Sequence, residues 1–501
     1  MTSPPFRRLL VANRGEIAIR VIRACRELGI SPVAVYSDAD ADALHVRLAD
    51  RAERIGPARA AESYLSAKAI VDAARRANAD AIHPGYGFLS EDASFARAVE
   101  AAGVIFVGPP PATLEALGDK LAARRAAAGA GVPLIRGRDL PIGDGDVDLS
   151  AVGFPAMIKA AAGGGGRGMR LVRSAGEVAA AVVSARREAH DAFGDGTLYV
   201  EQLVKPARHV EVQLLGDREG RLAVLGERDC SVQRRHQKLV EESPSPAVTE
   251  TTRAAMAESA RRVAGTVEFH SAATVEFLVD ANGDHHFLEM NTRLQVEHGV
   301  TELVTGIDLV AWQIRIAAGE RLSDELLDVR PRGHAIEVRL YAEDPYDGFR
   351  PLPGRVSVWR MPSGPGVRVD AGVEAGTELT PHYDPLLAKL LVHADDRSAA
   401  LARLRRALDE TLIGGVQTDA GFLRWLVDEP GFASGDYDTG LIDERWSGGP
   451  PLGSEERSLA ALVALWAREA SRETAEPPRG AASGPSESAW ARQARAEALR
   501  R

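Results

Sequence analysis

Residues 287–298 read FLEMNTRLQVEH and place five polar side chains at alternate positions. These side chains are Glu289, Asn291, Arg293, Gln295 and Glu297. Because successive side chains of an extended strand point to opposite faces, the alternation predicts a strand with all five on one face. Burying such groups without partners would cost about 2 kcal/mol or more for each one. The face is therefore expected to meet either solvent, as on an edge strand, or a charged ligand.

A further acid lies just before this stretch. Residues 274–280 read TVEFLVD and contain Glu276, and the turn ANGD then leads into HHFLEMN, so the pattern predicts a hairpin. Glu276 and Glu289 would face each other, and two opposed carboxylates repel unless a cation lies between them. Since Mg²⁺ prefers oxygen ligands, Glu276, Glu289 and Asn291 are predicted metal ligands. The alternative is a pair of solvated strand acids.

A glycine run, GGGGRG at residues 163–168, separates two predicted strands, FPAMIKA and MRLVRS. Glycine allows a backbone to approach phosphate oxygens closely, and Lys159 places a cation four residues before the run. A phosphate-binding hairpin loop is one interpretation, and a flexible turn is the other. The run is not a P-loop, because no Gly-Lys-Ser/Thr opens a helix after it.

Residues 227–242 read ERDCSVQRRHQKLVEE and are densely polar. Such segments usually form charged surface loops. The alternative is a binding site, in which Gln233 and His236 suit contacts to a base or a ribose and Lys238 suits an anion.

The scarcity of lysine adds weight to the second interpretation. Of the 61 basic residues only six are lysine. They are Lys68, Lys120, Lys159, Lys205, Lys238 and Lys389. Because arginine covers the surface, the remaining lysines are candidates for sites that need a compact ammonium group. Lys120, Lys159 and Lys238 lie in segments with other signs of chemistry, whereas Lys68 and Lys205 are expected on the surface.

Composition excludes several classes of protein. The net charge of −10 argues against a general nucleic-acid or membrane-surface role. The two cysteines, Cys25 and Cys230, provide no disulfide framework, which fits a reducing compartment. No apolar run approaches the roughly 18 residues of a membrane span. We therefore predict a cytoplasmic protein that binds neither nucleic acid nor membrane.

The order of predicted elements indicates an α/β fold with more than one domain. Strands alternate with helices over roughly the first 110 residues, which predicts a doubly wound parallel sheet. The Gly-rich dinucleotide fingerprint is absent after the first strand. Val210, Val212 and Leu214 alternate as in a half-buried antiparallel strand. From Arg332 onward short strands and a helix predict an α+β region, and the final stretch is rich in Pro, Gly, Ser and Ala.

The sequence resembles the biotin carboxylase family of the ATP-grasp superfamily, roughly from Phe6 to Trp446. The motifs that carry the resemblance are ANRGEIAIRVIRACRELG at Ala12, HPGYGFLSE at His83, GDK at Gly118, KAAAGGGGRGM at Lys159, RHVEVQ at Arg208, ERDCSVQRRHQK at Glu227, EMNTRLQVEH at Glu289, HAIEVRLYAED at His334 and YDPLLAKL at Tyr383. Their length and order make chance an unsatisfactory explanation.

The resemblance implies a ligase that forms a C–N bond with ATP and Mg²⁺ or Mn²⁺ as cofactors. Bicarbonate would attack the γ-phosphate, and the carboxyphosphate would release CO₂ to biotin on a carrier protein. This is the first half-reaction of an acyl-CoA carboxylase. Two alternatives are another ATP-grasp carboxylate or carbamate ligase and a catalytically silent, nucleotide-sensing homologue.

The resemblance also implies roles for individual residues. The ATP-binding positions are Lys120, Lys159, Gly165, Gly166, Glu201, His209, Gln233, His236, Glu276 and Glu289. The bicarbonate positions are Lys238, Arg293, Gln295 and the backbone of Val296. Glu297 matches the base that deprotonates bicarbonate, Arg339 matches the residue that stabilises the biotin enolate, and Tyr86 borders the biotin pocket. Arg293, Glu297, Arg339 and Lys238 are thus the predicted catalytic residues.

The implied organisation has four parts. Residues 1–113 form an N-terminal domain, and residues 114–330 form an ATP-grasp domain with a mobile glycine-rich lid at about 131–204. Residues 331–447 form a C-terminal α+β domain, and residues 448–501 form a partly disordered tail. The expected partners are a biotin carboxyl carrier protein and a carboxyltransferase subunit, in a homodimer or a larger carboxylase complex. No lysine follows Lys389, so the biotin carrier is expected on another chain or on a continuation of this one.

Overall fold

The computed structural model describes residues 6–140, 149–161 and 169–448, together with Leu462 and Leu465. The glycine run, with the predicted lid residues Gly165 and Gly166, lies outside the described residues, as does nearly all of the predicted tail. The chain divides into two units after residue 450, and the features below belong to the first unit.

The N-terminal region contains the predicted doubly wound sheet. Its elements are β1 (Arg8–Val11), α1 (Gly15–Glu27), β2 (Ser31–Ser37), α2 (Leu44–Leu48), β3 (Arg51–Gly56), α3 (Ala67–Ala77), β4 (Ala81–His83), α4 (Ala93–Ala101) and β5 (Ile105–Phe106). The five strands pair in parallel in the order β3-β2-β1-β4-β5. Apolar residues of α1, such as Ile17 and Val21, pack between this sheet and a later helix through Ile314.

A small antiparallel sheet follows two helices. The elements are α5 (Pro111–Gly118), α6 (Lys120–Gly129), β6 (Gly137–Asp139), β7 (Ala156–Ala160), β8 (Arg170–Val172), α7 (Ala175–Phe193) and β9 (Leu198–Gln202). The strands pair in the order β6-β9-β7-β8. The strands on either side of the glycine run are therefore hairpin partners, as predicted, with Ala156 opposite Val172.

The rest of the unit is built on one large antiparallel sheet. Its first elements are β10 (Ala207–Gly216), β11 (Leu222–Arg234), β12 (Gln237–Ser243), α8 (Glu250–Ala264), β13 (Ser271–Asp280), β14 (His285–Asn291), α9 (His298–Thr305), α10 (Leu309–Ala317) and α11 (Asp324–Leu327). The later elements are β15 (His334–Tyr341), β16 (Glu343–Asp344), β17 (Arg350–Pro351), β18 (Gly354–Arg355), β19 (Val358–Arg360), β20 (Val367–Ala371), β21 (Glu378–Leu379), β22 (Leu386–Ala394), α12 (Arg397–Glu410), β23 (Leu412–Gly414), α13 (Ala420–Asp428), α14 (Pro430–Ser434) and α15 (Leu441–Arg445). Eight strands pair in the order β14-β13-β10-β11-β12-β15-β22-β20, so the sheet continues across residue 330.

The large sheet corrects one expectation from the sequence and excludes one of the two interpretations of residues 227–242. Strand β10 is not half-buried, because its valines pack with helix α8 residues such as Met256 while Glu211 and Gln213 on the same strand are also fully buried. Arg228 contacts both of those polar side chains and Thr301 of α9, so the second face is covered as well. Residues 227–242 are not a surface loop, because they form most of β11 and β12.

The strand prediction for residues 287–298 is correct only in its first part. Strand β14 ends at Asn291, and Glu297 is already the N-cap residue of α9. The predicted hairpin is confirmed, since β13 and β14 are antiparallel with Glu276 opposite Glu289.

The C-terminal part of the large sheet meets the N-terminal region at a very close backbone contact. A Cβ atom added at Gly372, just after β20, would lie 2.7 Å from the backbone nitrogen of Glu16 and 2.9 Å from the Cα atom of Gly15. The start of α1 can therefore touch the end of β20 only because residue 372 has no side chain.

We predict that Gly372→Ala lowers the free energy of unfolding by about 1–3 kcal/mol, because the methyl group must push two backbones apart. Urea unfolding checks this. Gly176→Ala in α7 is the control, since an added Cβ there meets nothing within 4 Å. Equal effects of the two substitutions would contradict the proposed close contact.

Candidate active site

A cavity of about 860 Å³ lies between the small sheet and the large sheet. It is lined by nearly all of the site residues that the sequence predicted. They are Lys120, Lys159, Glu201, His209, Gln233, His236, Lys238, Glu276, Glu289, Asn291, Arg293, Gln295, Val296, Glu297 and Arg339. Among the predicted site residues within the described part of the chain, only Tyr86 does not line it. The two glycines of the predicted lid lie outside the described residues.

The five alternating side chains thus reach one cavity although the strand ends part-way. Asn291, Gln295 and Glu297 are buried, with relative exposures of 8%, 5% and 1%. The segment begins on the edge strand of the large sheet, and its polar side chains line the cavity and contact other protein groups. The solvated-face interpretation is therefore wrong.

Lys238 is the centre of the polar contacts in the cavity. Its Nζ donates to Glu297 Oε1 at 2.6 Å, to Glu211 Oε2 at 2.6 Å and to Glu276 Oε1 at 3.1 Å. Burial opposes the charged form of the lysine, but these carboxylates outweigh it and raise the pKa of Lys238 well above its usual value. The ammonium group therefore stays charged and compensates three acids at once.

Glu297 lies between two cations. Beside Lys238, the guanidinium Nη2 of Arg339 donates to Glu297 Oε2 at 3.0 Å. Burial alone would raise the pKa of Glu297, but Lys238 and Arg339 hold it well below its usual range. The carboxylate is thus ionised and able to accept a proton when a substrate supplies one.

The predicted metal ligands lie together at the other end of the same segment. Asn291 Nδ2 donates to Glu276 Oε1 at 2.9 Å and to Glu289 Oε1 at 3.4 Å. His209 Nε2 lies 2.7 Å from Glu276 Oε2, and Lys120 Nζ lies 3.0 Å from Glu289 Oε2. Burial opposes ionisation, yet Lys238 and His209 lower the pKa of Glu276. Lys238 and Lys120 therefore offset the repulsion between the opposed carboxylates of Glu276 and Glu289. The carboxylate oxygen atoms are ligands that suit a hard divalent ion.

The opposite wall of the cavity is formed by the small sheet and the β11–β12 turn. Lys159 and Arg124 both form ion pairs with the buried carboxylate of Glu201. His236 closes the tight turn with φ of 66°, and burial together with Lys159 lowers its pKa. A neutral imidazole and a nearby ammonium group are thus presented from this side.

The remaining predicted residues differ in their contacts. Arg293 Nε donates to Glu91 Oε2 at 2.9 Å, which joins the cavity to the N-terminal region. Tyr86 lies behind the cavity and donates its hydroxyl proton to Glu16 Oε1. Lys68 and Lys205 are exposed, as the sequence predicted.

Three carboxylates of this region, of which Glu211 and Glu241 are fully buried, were missed by the sequence analysis. Glu211 is the fully buried partner of Lys238 and of Arg228, whose Nε donates to it at 2.5 Å. Glu241 Oε1 lies 2.5 Å from Arg339 Nη2. Burial, only partly offset by Arg339, raises the pKa of Glu241 to about 7. Asp384 lines the cavity from the C-terminal side. Glu211 lies between two valines in RHVEVQ, and this position could have indicated a buried acid. The polar face of that strand was instead expected to be solvated.

Family models match three consecutive parts of the chain. Residues 5–114 match the biotin carboxylase N-terminal domain, and residues 337–444 match the biotin carboxylase C-terminal domain. Residues 119–325 match the ATP-binding domain of the carbamoyl-phosphate synthase L chain. Biotin carboxylase from Halalkalibacterium halodurans is 48% identical over 440 residues, which are 87% of this chain and 97% of that protein.

The chain belongs to the biotin carboxylase family.

Longer relatives match as well. The mitochondrial methylcrotonoyl-CoA carboxylase subunit alpha of Oryza sativa is 50% identical over 441 residues, 87% of this chain, and this match spans 60% of the rice protein. Within the residues that the structure describes, no helix combines the length and apolar character needed to cross a membrane.

Solved structures of the family have the same fold. The biotin carboxylase domain dimer of Hydrogenobacter thermophilus 2-oxoglutarate carboxylase, in complex with MgADP, ADP and bicarbonate, has a TM-score of 0.84 and 44% identity, covering 89% of this chain and 99% of that one. Biotin carboxylase from Campylobacter jejuni, in a β-γ-ATP complex, has a TM-score of 0.84 and 43% identity, covering 88% and 99%. The predicted fold class is therefore confirmed.

We predict that Lys238→Met destabilises the protein by about 3–5 kcal/mol, because it leaves three buried carboxylates without their shared cation. Urea unfolding measures the loss. Lys205→Met is the matched control, since Lys205 is exposed and its pair with Glu444 is worth about 1 kcal/mol at most. If both variants unfold at the same urea concentration, Lys238 does not balance the carboxylates.

Proposed function

We propose that the protein is a biotin carboxylase, which uses ATP and bicarbonate to carboxylate biotin on a carrier protein. The observation that carries this proposal is the ionised Glu297 held between Lys238 and Arg339. A carboxylate poised between two cations is suited to taking a proton from an anion that those cations bind. The named relatives and the ligands of their solved structures support the same activity.

In this proposal bicarbonate binds beside Glu297. Lys238, Arg293, Gln295 and the backbone of Val296 hold the anion, and Glu297 takes its proton. The two cations that lower the pKa of Glu297 are the same groups that would bind the substrates. When Lys238 turns to bicarbonate and Arg339 turns to biotin, the proton affinity of Glu297 rises at the moment it is needed.

The nucleotide binds between the two sheets. The proposed contacts are Lys120, Lys159, Glu201, His209, Gln233 and His236, with Gly165 and Gly166 on the lid loop. Phosphoryl transfer needs positioning and charge stabilisation rather than covalent participation by the protein. Lys120 and Lys159 suit that task. A closing lid would also keep water away from the carboxyphosphate.

Glu276, Glu289 and Asn291 would hold Mg²⁺ or Mn²⁺. The amide nitrogen of Asn291 donates to both Glu276 and Glu289, so the two carboxylates lie together at the start of the segment that ends in Glu297. Their chemistry and position fit a divalent ion beside the phosphates. When bound, the ion would neutralise phosphate charge during the transfer.

Biotin would bind over Arg339, with Tyr86 behind. Among the described residues, Arg339 Nε has no hydrogen-bond partner although it is buried. A buried donor without a partner is costly, so the ureido oxygen of biotin is a suitable acceptor for it.

The proposed domains are residues 1–113, 114–330 with a lid at about 131–204, and 331–447, followed by a tail at 448–501. The three family matches support this division. Relatives are subunits of carboxylases, and the Hydrogenobacter domain is a dimer. We therefore propose a homodimer or larger complex with a biotin carboxyl carrier protein and a carboxyltransferase subunit, located in the cytoplasm.

The test measures ADP formation from ATP with and without bicarbonate and free biotin. We expect cleavage that depends on bicarbonate and is stimulated by biotin. Glu297→Gln should lower the stimulated rate about 100-fold or more, because it removes the general base. Glu242 is also a buried glutamate, and Glu242→Gln is the control for stability effects. Cleavage independent of bicarbonate would indicate another ATP-grasp ligase, no cleavage would indicate a silent homologue, and full activity of Glu297→Gln would refute the assigned base.

A second prediction concerns the metal. Glu289→Gln should raise the Mg²⁺ concentration needed for half-maximal ATP cleavage about tenfold, because one carboxylate ligand is lost. A titration with Mg²⁺ at fixed ATP measures it. The exposed Glu250 offers the control Glu250→Gln, and an unchanged Mg²⁺ requirement in Glu289→Gln would exclude this residue as a ligand.

A further inference from the structure

Lys389 is a fully buried lysine that the proposed chemistry does not use. It lies on β22, and its Nζ donates to the backbone carbonyl of Val296 at 2.8 Å. The same Nζ lies 3.3 Å from Glu16 Oε1. Burial opposes its charge, but the carboxylates of Glu16, Glu337 and Asp370 outweigh this and raise the pKa of Lys389. The charged ammonium group of Lys389 therefore holds the peptide between Val296 and Glu297 by a hydrogen bond.

Glu16 connects Lys389 to Tyr86, which is predicted to border the biotin pocket. Its Oε1 accepts the hydroxyl proton of Tyr86 and also faces Lys389. Burial and the nearby Glu16 raise the pKa of Tyr86 well above its usual value, so the phenol remains a donor. Tyr86, Glu16, Lys389 and the carbonyl of Val296 thus form one continuous series of contacts, named here the Glu16–Lys389 bridge.

The bridge joins three distant parts of the sequence. Glu16 is in the first turn of α1, Lys389 is near the middle of β22, and Val296 is just before α9. The close approach of Gly372 to the backbone of Glu16 brings the first two parts together. Of the other carboxylates near Lys389, Asp370 lies 3.9 Å away and is paired with Arg368 at 2.7 Å. Glu16 is therefore the nearer acid and the one that leads to Tyr86.

We propose that Glu16 and Lys389 are positioning residues that link the biotin side of the site to the bicarbonate side. Lys389 fixes the peptide between Val296 and Glu297, and Glu16 fixes Lys389 relative to Tyr86. Biotin that binds over Arg339, with Tyr86 behind it, then stabilises the orientation of the bicarbonate-binding backbone and of the base. Such a link is a coupling between two sites, so each substrate improves the binding of the other. This inference rests on the proposed function.

The test compares Glu16→Gln, Lys389→Met and the double variant with the wild-type protein. Initial rates of ATP cleavage are measured over a range of bicarbonate, with and without free biotin. Each single variant should raise KM for bicarbonate and reduce the stimulation by biotin about tenfold, without raising KM for ATP. The double variant should lose no more than the worse single variant, because both act through one series of contacts.

The chain offers a matched control in Glu242. This buried glutamate also accepts a tyrosine hydroxyl, from Tyr437 at 2.5 Å, and pairs with a cation, Arg397, at 2.7 Å. It does not line the cavity, so Glu242→Gln should change thermal stability but neither KM for bicarbonate nor the stimulation by biotin. Glu16→Gln is nearly isosteric and keeps the test possible if Lys389→Met does not fold.

Three results would overturn the inference. They are an unchanged biotin stimulation in folded Glu16→Gln, an equal rise of KM for ATP and for bicarbonate, and additive losses in the double variant. ATP cleavage by the wild-type protein distinguishes a failure of this inference from a failure of the proposed function. If the wild type shows bicarbonate-dependent cleavage stimulated by biotin, the proposed function stands whatever the variants do.

Discussion

Charge compensation around the buried ammonium group of Lys238 is the constraint on which the site depends. Three carboxylates, those of Glu211, Glu276 and Glu297, point to one nitrogen from three separate strands or turns. Without it they would repel one another in a medium that screens charge poorly. The arrangement fixes the distance between Glu276, a predicted metal ligand, and Glu297, the predicted base. It also explains why a chain that is nearly devoid of lysine retains one here, since a planar guanidinium group is less suited to three converging acids.

The large sheet extends this arrangement into the rest of the molecule. Strands β10, β13 and β14 carry Glu211, Glu276 and Glu289, whereas β15 and β22 carry Arg339 and Lys389, which lie opposite each other in register. Lys238 on β12 and Arg339 on β15 thus belong to one hydrogen-bonded framework, and the other proposed bicarbonate-binding residues follow directly after β14. The small sheet brings Lys159 and Glu201 to the other wall. Substrates bound between a continuous framework and a separate small sheet can be enclosed without distortion of the catalytic groups.

Much of this could be predicted from the sequence, and the failures have physical reasons. The alternation of strands with helices predicted the parallel sheet. The turn ANGD between two strands predicted the β13–β14 hairpin and the opposition of Glu276 and Glu289. The alternation after Asn291 was taken for a strand, although α9 begins at His298 and Glu297 occupies its N-cap position. Glu211 escaped notice because a pattern shows which residues share a face but not that Arg228 and α9 cover that face. Lys389 belonged to a motif, but its role depends on Glu16, which is more than 370 residues away in the sequence and is adjacent only after folding.

The continuity of the large sheet across residue 330 limits how the polypeptide can be divided. Strand β12 is hydrogen-bonded to β15, with Val240 opposite Val338 and Glu241 opposite Glu337. A cut between them would leave two long, unpaired strand edges, each with free backbone donors and acceptors and with buried acids open to water. Such edges pair readily with other chains and lead to aggregation. Fragments for expression, split reporters or insertions should therefore avoid this boundary, although the sequence there resembles a junction between domains.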